Sequence, residues 1–227
     1  MRRVVLASAG VLMAAWMGAA SAADLPRRTE MPARAPAYLT TMYNWTGLYF
    51  GINAGGAWGN STWTAPGLTT GEFDLSGALI GGTLGYNWQS GQAVFGIETD
   101  VAWSNIDGTT GTLCAGGCQT SNNWLGTTRG RLGFAVDRFM PYVTAGAAYG
   151  DINARLAGLP EQSETKIGWT AGAGAEFALA GNWTAKAEYL YVDLGDMSCG
   201  AAGCGVPAPT NVDFTAHVVR GGFNFRF

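Results

Sequence analysis

The residues of this chain that could carry out chemistry are one histidine, four cysteines and a few charged residues at alternating positions. The only histidine among the 227 residues is His217. Hydrolysis or acyl transfer would need it paired with a nucleophile such as serine. A second histidine, or a serine in the right register with His217, would support such chemistry, and the sequence has neither. A structural histidine is therefore favoured over a catalytic one, and we expect no enzymatic activity.

The four cysteines form two closely spaced pairs, Cys114 with Cys118 and Cys199 with Cys204. Four thiolates could bind a metal ion such as zinc. In an oxidising compartment disulfides are the stronger expectation, and short closure distances favour a bond within each pair. The crossed pairings stay open because connectivity cannot be read from sequence. We expect no bound metal and no cofactor.

Eight charged residues stand at alternate positions in segments whose other face is aromatic or aliphatic. Four are acidic and four are basic, so the set is formally neutral. They are Glu98, Asp100, Arg129, Arg131, Glu176, Lys186, Glu188 and Arg220. A buried charge must be paired, so we expect these residues to form ion pairs inside the protein.

The final segment, residues 212–227, shows which element positions such charges. Its odd positions end in Phe223, Phe225 and Phe227, whereas its even positions include Arg220 and Arg226. This period of two predicts a β-strand with one apolar and one charged face. An edge strand of a soluble sandwich could share the pattern. A strand with lipid on one side and a barrel interior on the other explains it better.

Seven earlier segments alternate in the same way, at 48–58, 77–88, 95–103, 124–136, 142–150, 167–177 and 183–191. The connections at 90–92, 137–139 and 180–182 are short, and those at 59–74, 105–122, 153–164 and 195–211 are long. Short and long connections alternate strictly, as in outer-membrane barrels. The sequence therefore predicts an all-β protein, an eight-stranded antiparallel up-and-down transmembrane β-barrel. A soluble lipocalin-like barrel would place its larger apolar residues inside.

The beginning of the chain indicates export. A basic start, an apolar run and the small residues at 20–22 predict a signal peptide over 1–22, followed by a proline-rich periplasmic lead-in over 23–43 and a barrel over 44–227. Without Arg2 and Arg3 the chain has 11 basic against 16 acidic residues, a net charge of −5. That balance argues against nucleic-acid binding.

The segment Tyr43-Asn44-Trp45-Thr46-Gly47-Leu48-Tyr49-Phe50-Gly51, together with Pro141-Tyr142-Val143 and the final Phe227, resembles the outer-membrane β-barrel family of alphaproteobacterial porin-like surface antigens. Their architecture is similar to that of small OmpA/OmpX-type barrels. The resemblance implies an abundant surface protein of a Gram-negative outer membrane, with no catalytic residue. Its partners would be outer-membrane lipid, lipopolysaccharide, periplasmic chaperones and the barrel-insertion machinery. The four loop cysteines depart from the commoner members.

Two Asn-Trp-Thr triplets, at 44–46 and 182–184, match a glycosylation sequon. They fall near strand starts on the side of the short connections. The interpretation we favour is that Trp45 and Trp183 lie in the inner aromatic girdle of a membrane barrel.

The expected function is that of a structural, surface-exposed protein with four extracellular loops and a lumen blocked by two ion-pair clusters. One cluster would join the charges at 98–131 and the other those at 176–220. The alternatives are a narrow porin for small solutes and an outer-membrane lipid-modifying enzyme. The long connections carry an acidic set that we expect at the outer rim: Glu72, Asp74, Asp107, Asp151, Glu161, Glu164, Asp193, Asp196 and Asp213.

The phenylalanines of the last strand generate a first prediction. We expect Phe223, Phe225 and Phe227 to be recognised by the barrel-insertion machinery. Deleting Phe227 should leave protein in the periplasm or lower its outer-membrane yield, measured by fractionation of expressing cells. An unchanged folding rate and yield in cells would contradict this assignment.

Overall fold

The computed structural model describes residues 43–65, 68–111, 118–156, 162–199 and 210–227. These residues form eight β-strands in chain order: β1 (Gly47–Ala65), β2 (Leu68–Ser90), β3 (Ala93–Thr110), β4 (Cys118–Phe134), β5 (Phe139–Leu156), β6 (Gln162–Ala178), β7 (Trp183–Cys199) and β8 (Thr210–Arg226). Within the described part of the chain, no helix has the length and apolar character needed to cross a membrane.

Each strand pairs antiparallel with its neighbours in sequence, and β1 also pairs with β8, which closes the sheet into a barrel. The closure confirms the fold predicted from the alternating segments. Two of the short connections between strands use Gly91 and Gly181, both with φ of +62°. Only glycine adopts that conformation without steric cost. Asp137 takes a similar conformation in the third short connection, with φ of +53°.

Outward-facing side chains are mostly apolar over a band of about ten residues in each strand, the length that a tilted strand needs to cross the hydrocarbon core. In β1 the band runs from Leu48 through Phe50 and Ile52 to Trp58, all exposed on the outer wall. Beyond Trp58 the outward positions become polar, beginning with Asn60. The membrane therefore ends near Trp58, although β1 continues for seven more residues to Ala65.

The strands are longer than the sequence analysis predicted. The expected long connection at 59–74 is in fact the paired outer parts of β1 and β2, which meet at Ala65 and Leu68. The same correction applies to much of 105–122, 153–164 and 195–211. The outer segments do not expose an apolar face to water, because in them the two faces of each strand exchange character.

The exchange is clearest in β8. Asn211 and Asp213 point outward in its outer half, while Val212 and Phe214 are buried inside. Among the described residues, seventeen buried apolar side chains from every strand except β6 fill the outer half of the lumen. Nearer the periplasm, β8 reverses this pattern: Arg220 points inward, and phenylalanines face the lipid.

Glycines on the inner wall let the strands coil tightly. A Cβ atom at inward-facing Gly55 would overlap the backbone of β8 at Val219 and Arg220. At outward-facing Gly56, the nearest atom would be the carbonyl oxygen of Gly77, at 3.8 Å. The two adjacent glycines therefore differ sharply in the space around them.

This difference predicts a contrast between two substitutions of equal size. Gly55→Ala should lower the free energy of unfolding by about 1–3 kcal/mol, because the β8 backbone must move. Gly56→Ala should change it by no more than about 0.5 kcal/mol. Urea titration of the refolded barrel in lipid, followed by tryptophan fluorescence, measures both. Equal stability of the two variants would contradict the inner-wall packing described here.

Candidate functional site in the barrel lumen

The membrane-spanning half of the lumen is occupied by charged side chains from five strands. Each is buried, with an exposed fraction of at most 4 %. They are Glu98 and Asp100 of β3, Arg129 and Arg131 of β4, Glu176 of β6, Lys186 and Glu188 of β7, and Arg220 of β8. We call this set the lumen network.

Arg129 lies at the centre of the lumen network. Its NH2 group is 2.6 Å from Oε1 of Glu98 and 2.8 Å from Oδ2 of Asp100. Its NH1 group donates to Oε2 of Glu188 at 3.0 Å, on the opposite wall. Its Nε donates to Oγ1 of Thr127 at 2.8 Å. One guanidinium therefore contacts three carboxylates on two walls.

Arg220 completes the connection between the walls. Its NH1 and NH2 groups donate to the two carboxylate oxygens of Asp100, both at 2.8 Å. This parallel geometry is the strong, directional form of an Arg–carboxylate pair. Its Nε donates to Oε1 of Glu188 at 2.6 Å. Asp100 and Glu188 are thus each held by both Arg129 and Arg220.

Arg131 and Glu176 extend the lumen network toward the periplasm. Arg131 NH2 donates to Oε2 of Glu176, and its guanidinium lies 3.7 Å from the centre of the Tyr142 ring. Arg131 NH1 is 3.7 Å from Oε2 of Glu98, which links this pair to the rest. Glu176 also accepts from the side chains of Thr184 and Asn224.

The eight residues form one network, whereas the sequence analysis assigned them to two clusters. Lys186 shows why. Its register partner on β6 is Glu176, yet its Nζ lies 3.0 Å from Glu98 on β3. An eight-stranded barrel is so narrow that long side chains reach across it. Register partners in the sheet do pair in some cases, such as Glu98 with Arg129, but other pairs form only across the lumen.

Two tyrosines that the sequence analysis did not assign also belong to the site. Tyr49 donates to Oε2 of Glu98 at 2.8 Å, and Tyr142 donates to Oε2 of Glu188 at 3.2 Å. Both occupy inward-facing positions of their strands, which the alternating pattern could have shown. They were not assigned to the lumen because aromatic residues are also typical of the outer girdle of a membrane barrel.

The periplasmic end of the lumen is closed by residues that precede β1. Trp45 is fully buried and packs with Val94, Ala135, Met140 and Ala178. Its Nε1 donates to the carbonyl oxygen of Asp137 at 3.2 Å, and its backbone amide donates to Gln89 Oε1 at 2.6 Å.

The predicted girdle position is therefore wrong for Trp45, because the chain turns inward before β1 begins. Trp183, in the second Asn-Trp-Thr triplet, is half exposed on the outer wall. Identical triplets thus place their tryptophans on opposite sides of the barrel wall.

The acidic residues predicted at the outer rim separate into exposed and buried groups. Glu72, Asp74 and Asp107 are exposed. Asp151 is buried instead, because its Oδ1 accepts from the backbone amides of Asn123 and Trp124 at 2.9 and 3.0 Å. It fixes a register irregularity between β4 and β5.

Asp213 lies on the outer side of the apolar band, opposite Asp196 in the register of β7 and β8. A hydrogen bond with Asp196, assisted by partial burial, raises the pKa of Asp213 to about 6. Asp213 therefore takes up a proton as the pH falls through about 6, so the negative charge of this part of the rim decreases under mildly acidic conditions.

His217 lies on the outer wall at the edge of the apolar band, within an aromatic row. Its Nδ1 is 2.6 Å from the hydroxyl oxygen of Tyr189, and its ring stacks on Trp58 at 6.1 Å between centroids. Aromatic side chains at this height suit the boundary between hydrocarbon and head groups.

The residues assigned to assembly and to disulfides lie at opposite ends of the strands. Phe223 and Phe227 are exposed on the outer wall near the periplasm, and Phe225 packs against Trp183 with ring centroids 5.2 Å apart.

Cys114 and Cys204 lie outside the described residues, so the disulfide pairing stays a prediction. Glu161 of the predicted acidic rim also lies outside them. Cys118 begins β4 and Cys199 ends β7. The predicted signal peptide and nearly all of the lead-in also lie outside the described residues.

A closed antiparallel barrel with an apolar outer band and a charged interior defines the class of protein. Its apolar outer wall is suited to the hydrocarbon core of a membrane, and closure of the barrel leaves no unpaired strand edge in lipid. These features are those of the transmembrane β-barrels of bacterial outer membranes.

Comparison with known proteins identifies the family. The family model described as "Outer membrane protein beta-barrel domain" matches residues 9–227. The 31 kDa outer-membrane immunogenic protein of Brucella melitensis is 37 % identical over 252 aligned positions that cover all of both chains. The 25 kDa outer-membrane immunogenic protein of Brucella abortus is 32 % identical over 203 residues, 89 % of each chain. The chain belongs to this outer-membrane β-barrel family, which confirms the predicted family and location.

A solved structure supports the fold independently. The outer membrane protein AlkL, determined by solid-state NMR in DMPC bilayers, aligns with a TM-score of 0.51 at 15 % identity. The alignment covers 82 % of this chain and 92 % of AlkL. At that identity the similarity concerns the fold alone.

The geometry of Arg129 predicts a large stability loss on its removal. Arg129→Met should lower the free energy of unfolding by about 3–5 kcal/mol, because three carboxylates lose a shared buried partner. The matched control is Lys166→Met, which breaks the partly exposed pair between Lys166 and Glu164 at 2.9 Å. That change should cost at most about 1 kcal/mol. Urea titration in lipid measures both, and similar losses in the two variants would contradict a central role for Arg129.

Proposed function

We propose that this protein is a structural, surface-exposed component of the outer membrane whose lumen does not conduct solutes. The observation that carries the proposal is that Arg129 and Arg220 join carboxylates on opposite walls at 2.6–3.0 Å. A solute passing through the barrel would have to break several of these ion pairs at once.

Two apolar layers support the same conclusion. The outer half of the lumen contains buried side chains such as Phe214, Leu75 and Ile106, each about 1 % exposed. The periplasmic end contains Trp45 and its apolar neighbours. A general porin instead lines an open passage with charged or polar rings. The charged lumen network thus has an apolar layer on each side, and together these three layers leave little room for a continuous water column.

The outer half of the barrel supports a role at the cell surface. Its strands extend beyond the apolar band and place exposed side chains such as Glu72, Asp74 and Asp107 above the membrane. We propose that this part, with the four connections after β1, β3, β5 and β7, is what antibodies and host molecules meet. The Brucella relatives are named as immunogenic proteins, and that property would follow here from the same exposure.

The proposal also includes the membrane partners. The apolar band would contact lipid and, in the outer leaflet, lipopolysaccharide, whose phosphates would approach the acidic rim through divalent cations. Insertion would rely on periplasmic chaperones and the barrel-insertion machinery, with the outward-facing Phe223 and Phe227 as the recognised face.

A narrow porin and a lipid-modifying enzyme are the rival functions. A porin would require the lumen network to open. An enzyme would require a nucleophile beside His217, and the side chain bonded to His217 Nδ1 is the phenol of Tyr189. We therefore propose no catalytic role for His217 and assign it to the interface row.

The decisive experiment is conductance of the refolded wild-type barrel in planar bilayers. We expect no steady open-channel current, because the ion pairs of the lumen network and the apolar layers above and below them block the lumen. A general porin reconstituted in the same way is the positive control.

A variant of this chain provides an internal control. Arg129→Ala with Arg220→Ala removes the two side chains that bridge the walls, and it should show intermittent currents if it inserts. Steady, ohmic conductance of the wild type would overturn the occluded lumen and establish the porin.

A further inference from the structure

Arg226 is a buried cation that the lumen network does not neutralise. It is the last inward-facing residue of β8 and is 7 % exposed. Its guanidinium lies 4.4 Å from the Tyr43 ring and 5.2 Å from the Trp45 ring. Its NH1 group has no hydrogen-bond partner. Among the described residues, no carboxylate forms an ion pair with it.

The charge balance of the barrel interior makes this arrangement costly. The lumen network contains four acids and four bases, so it is neutral without Arg226. Among the described residues, the remaining buried carboxylate is that of Asp151, which lies near the outer end of β5, where backbone amides hold it. Arg226 therefore has no carboxylate at ion-pair distance within the described lumen, and burying a charge without a close partner costs several kcal/mol.

The aromatic rings compensate this charge only in part. Tyr43 and Trp45 interact with the guanidinium through their π faces, but a ring face does not replace an acceptor for the N–H groups in the guanidinium plane. The Tyr43 hydroxyl is a second buried group without a hydrogen-bond partner. Two buried donors from neighbouring side chains thus lack an acceptor at the same end of the lumen.

The character of the missing acceptor follows from the charge. The amide oxygens of Asn87 and Asn224 are also unpartnered, so a water molecule could bridge donors and acceptors there. Water would leave the buried guanidinium without a paired charge, whereas an anion would both accept from the donors and pair with the charge. Trp45 and its apolar neighbours fill the mouth around Arg226, which favours a small ion over a bulky head group.

We propose that the periplasmic mouth binds one small inorganic anion, of the size of a halide, at the Arg226 guanidinium beside Tyr43. The bound anion fixes Arg226 against Tyr43 and Trp45, and thereby holds the segment before β1 inside the barrel. The site is distinct from the lumen network and does not depend on whether the barrel conducts.

The test compares thermal unfolding of the refolded full-length chain in chloride, in bromide and in gluconate at equal ionic strength. Gluconate is too large for the site. We expect the melting temperature to be several degrees higher in either halide than in gluconate, because a ligand that binds only the folded state stabilises it. Arg226→Met should remove this difference between salts.

The matched control is Arg138→Met, which removes an exposed arginine at the same end whose NH1 donates to the carbonyl oxygen of Leu179 at 2.9 Å. This variant should keep the full halide effect. If Arg226→Met does not fold, wild-type crystals grown in bromide provide the test. We then expect an anomalous difference peak for bromide beside the Arg226 guanidinium. Equal melting temperatures in all three salts, a halide effect that survives Arg226→Met, or the absence of that bromide peak would each overturn the site.

Discussion

The pairing of buried charges across a narrow lumen is the constraint on which the rest of this structure depends. A carboxylate or guanidinium at mid-membrane depth has no water to solvate it, so it must find a partner within the barrel. Arg129 and Arg220 meet this requirement by contacting Asp100 and Glu188 from both sides. The strands that carry these residues must keep one register, because a shift by one residue would turn every charge toward the lipid.

The barrel changes its chemistry at the outer membrane surface without changing its fold. Within the membrane the wall is apolar outside and charged inside, and above the membrane it is polar outside and apolar inside. β8 contains both patterns, with Phe214 buried in its outer half and Phe223 exposed to lipid in its inner half. The same hydrogen-bonded ladder runs through both parts. The solvent around each part decides which face must be apolar, so the position of the exchange marks the membrane boundary.

This two-part construction explains how a small barrel extends its strands well beyond the bilayer. Exposed loops of the length suggested by the alternation would contribute little burial, whereas the apolar outer core gives the extramembrane part its own stability. The surface presented outside the cell is therefore a hydrogen-bonded β-wall over much of its height. The periplasmic end is filled differently: Trp45 inserts into the mouth of the barrel, and the Arg226 guanidinium lies over its ring.

The sequence alone determined the strand number, the antiparallel order, the membrane-facing band and the identity of the eight charged residues in the lumen network. A period of two is a local property, and each strand carries its own copy of it. Some partners, such as Glu98 and Arg129, are neighbours in the sheet, but the contacts between the two predicted clusters were decided only by tertiary structure. Lys186 lies opposite Glu176 in the sheet but contacts Glu98 across the lumen, because barrel curvature brings non-neighbouring strands within reach. The inward turn of Trp45 and the burial of Asp151 were likewise invisible in the sequence, since both depend on where a neighbouring strand ends or bulges. Alternation specifies which wall a side chain faces, and only closure of the barrel specifies what it meets there.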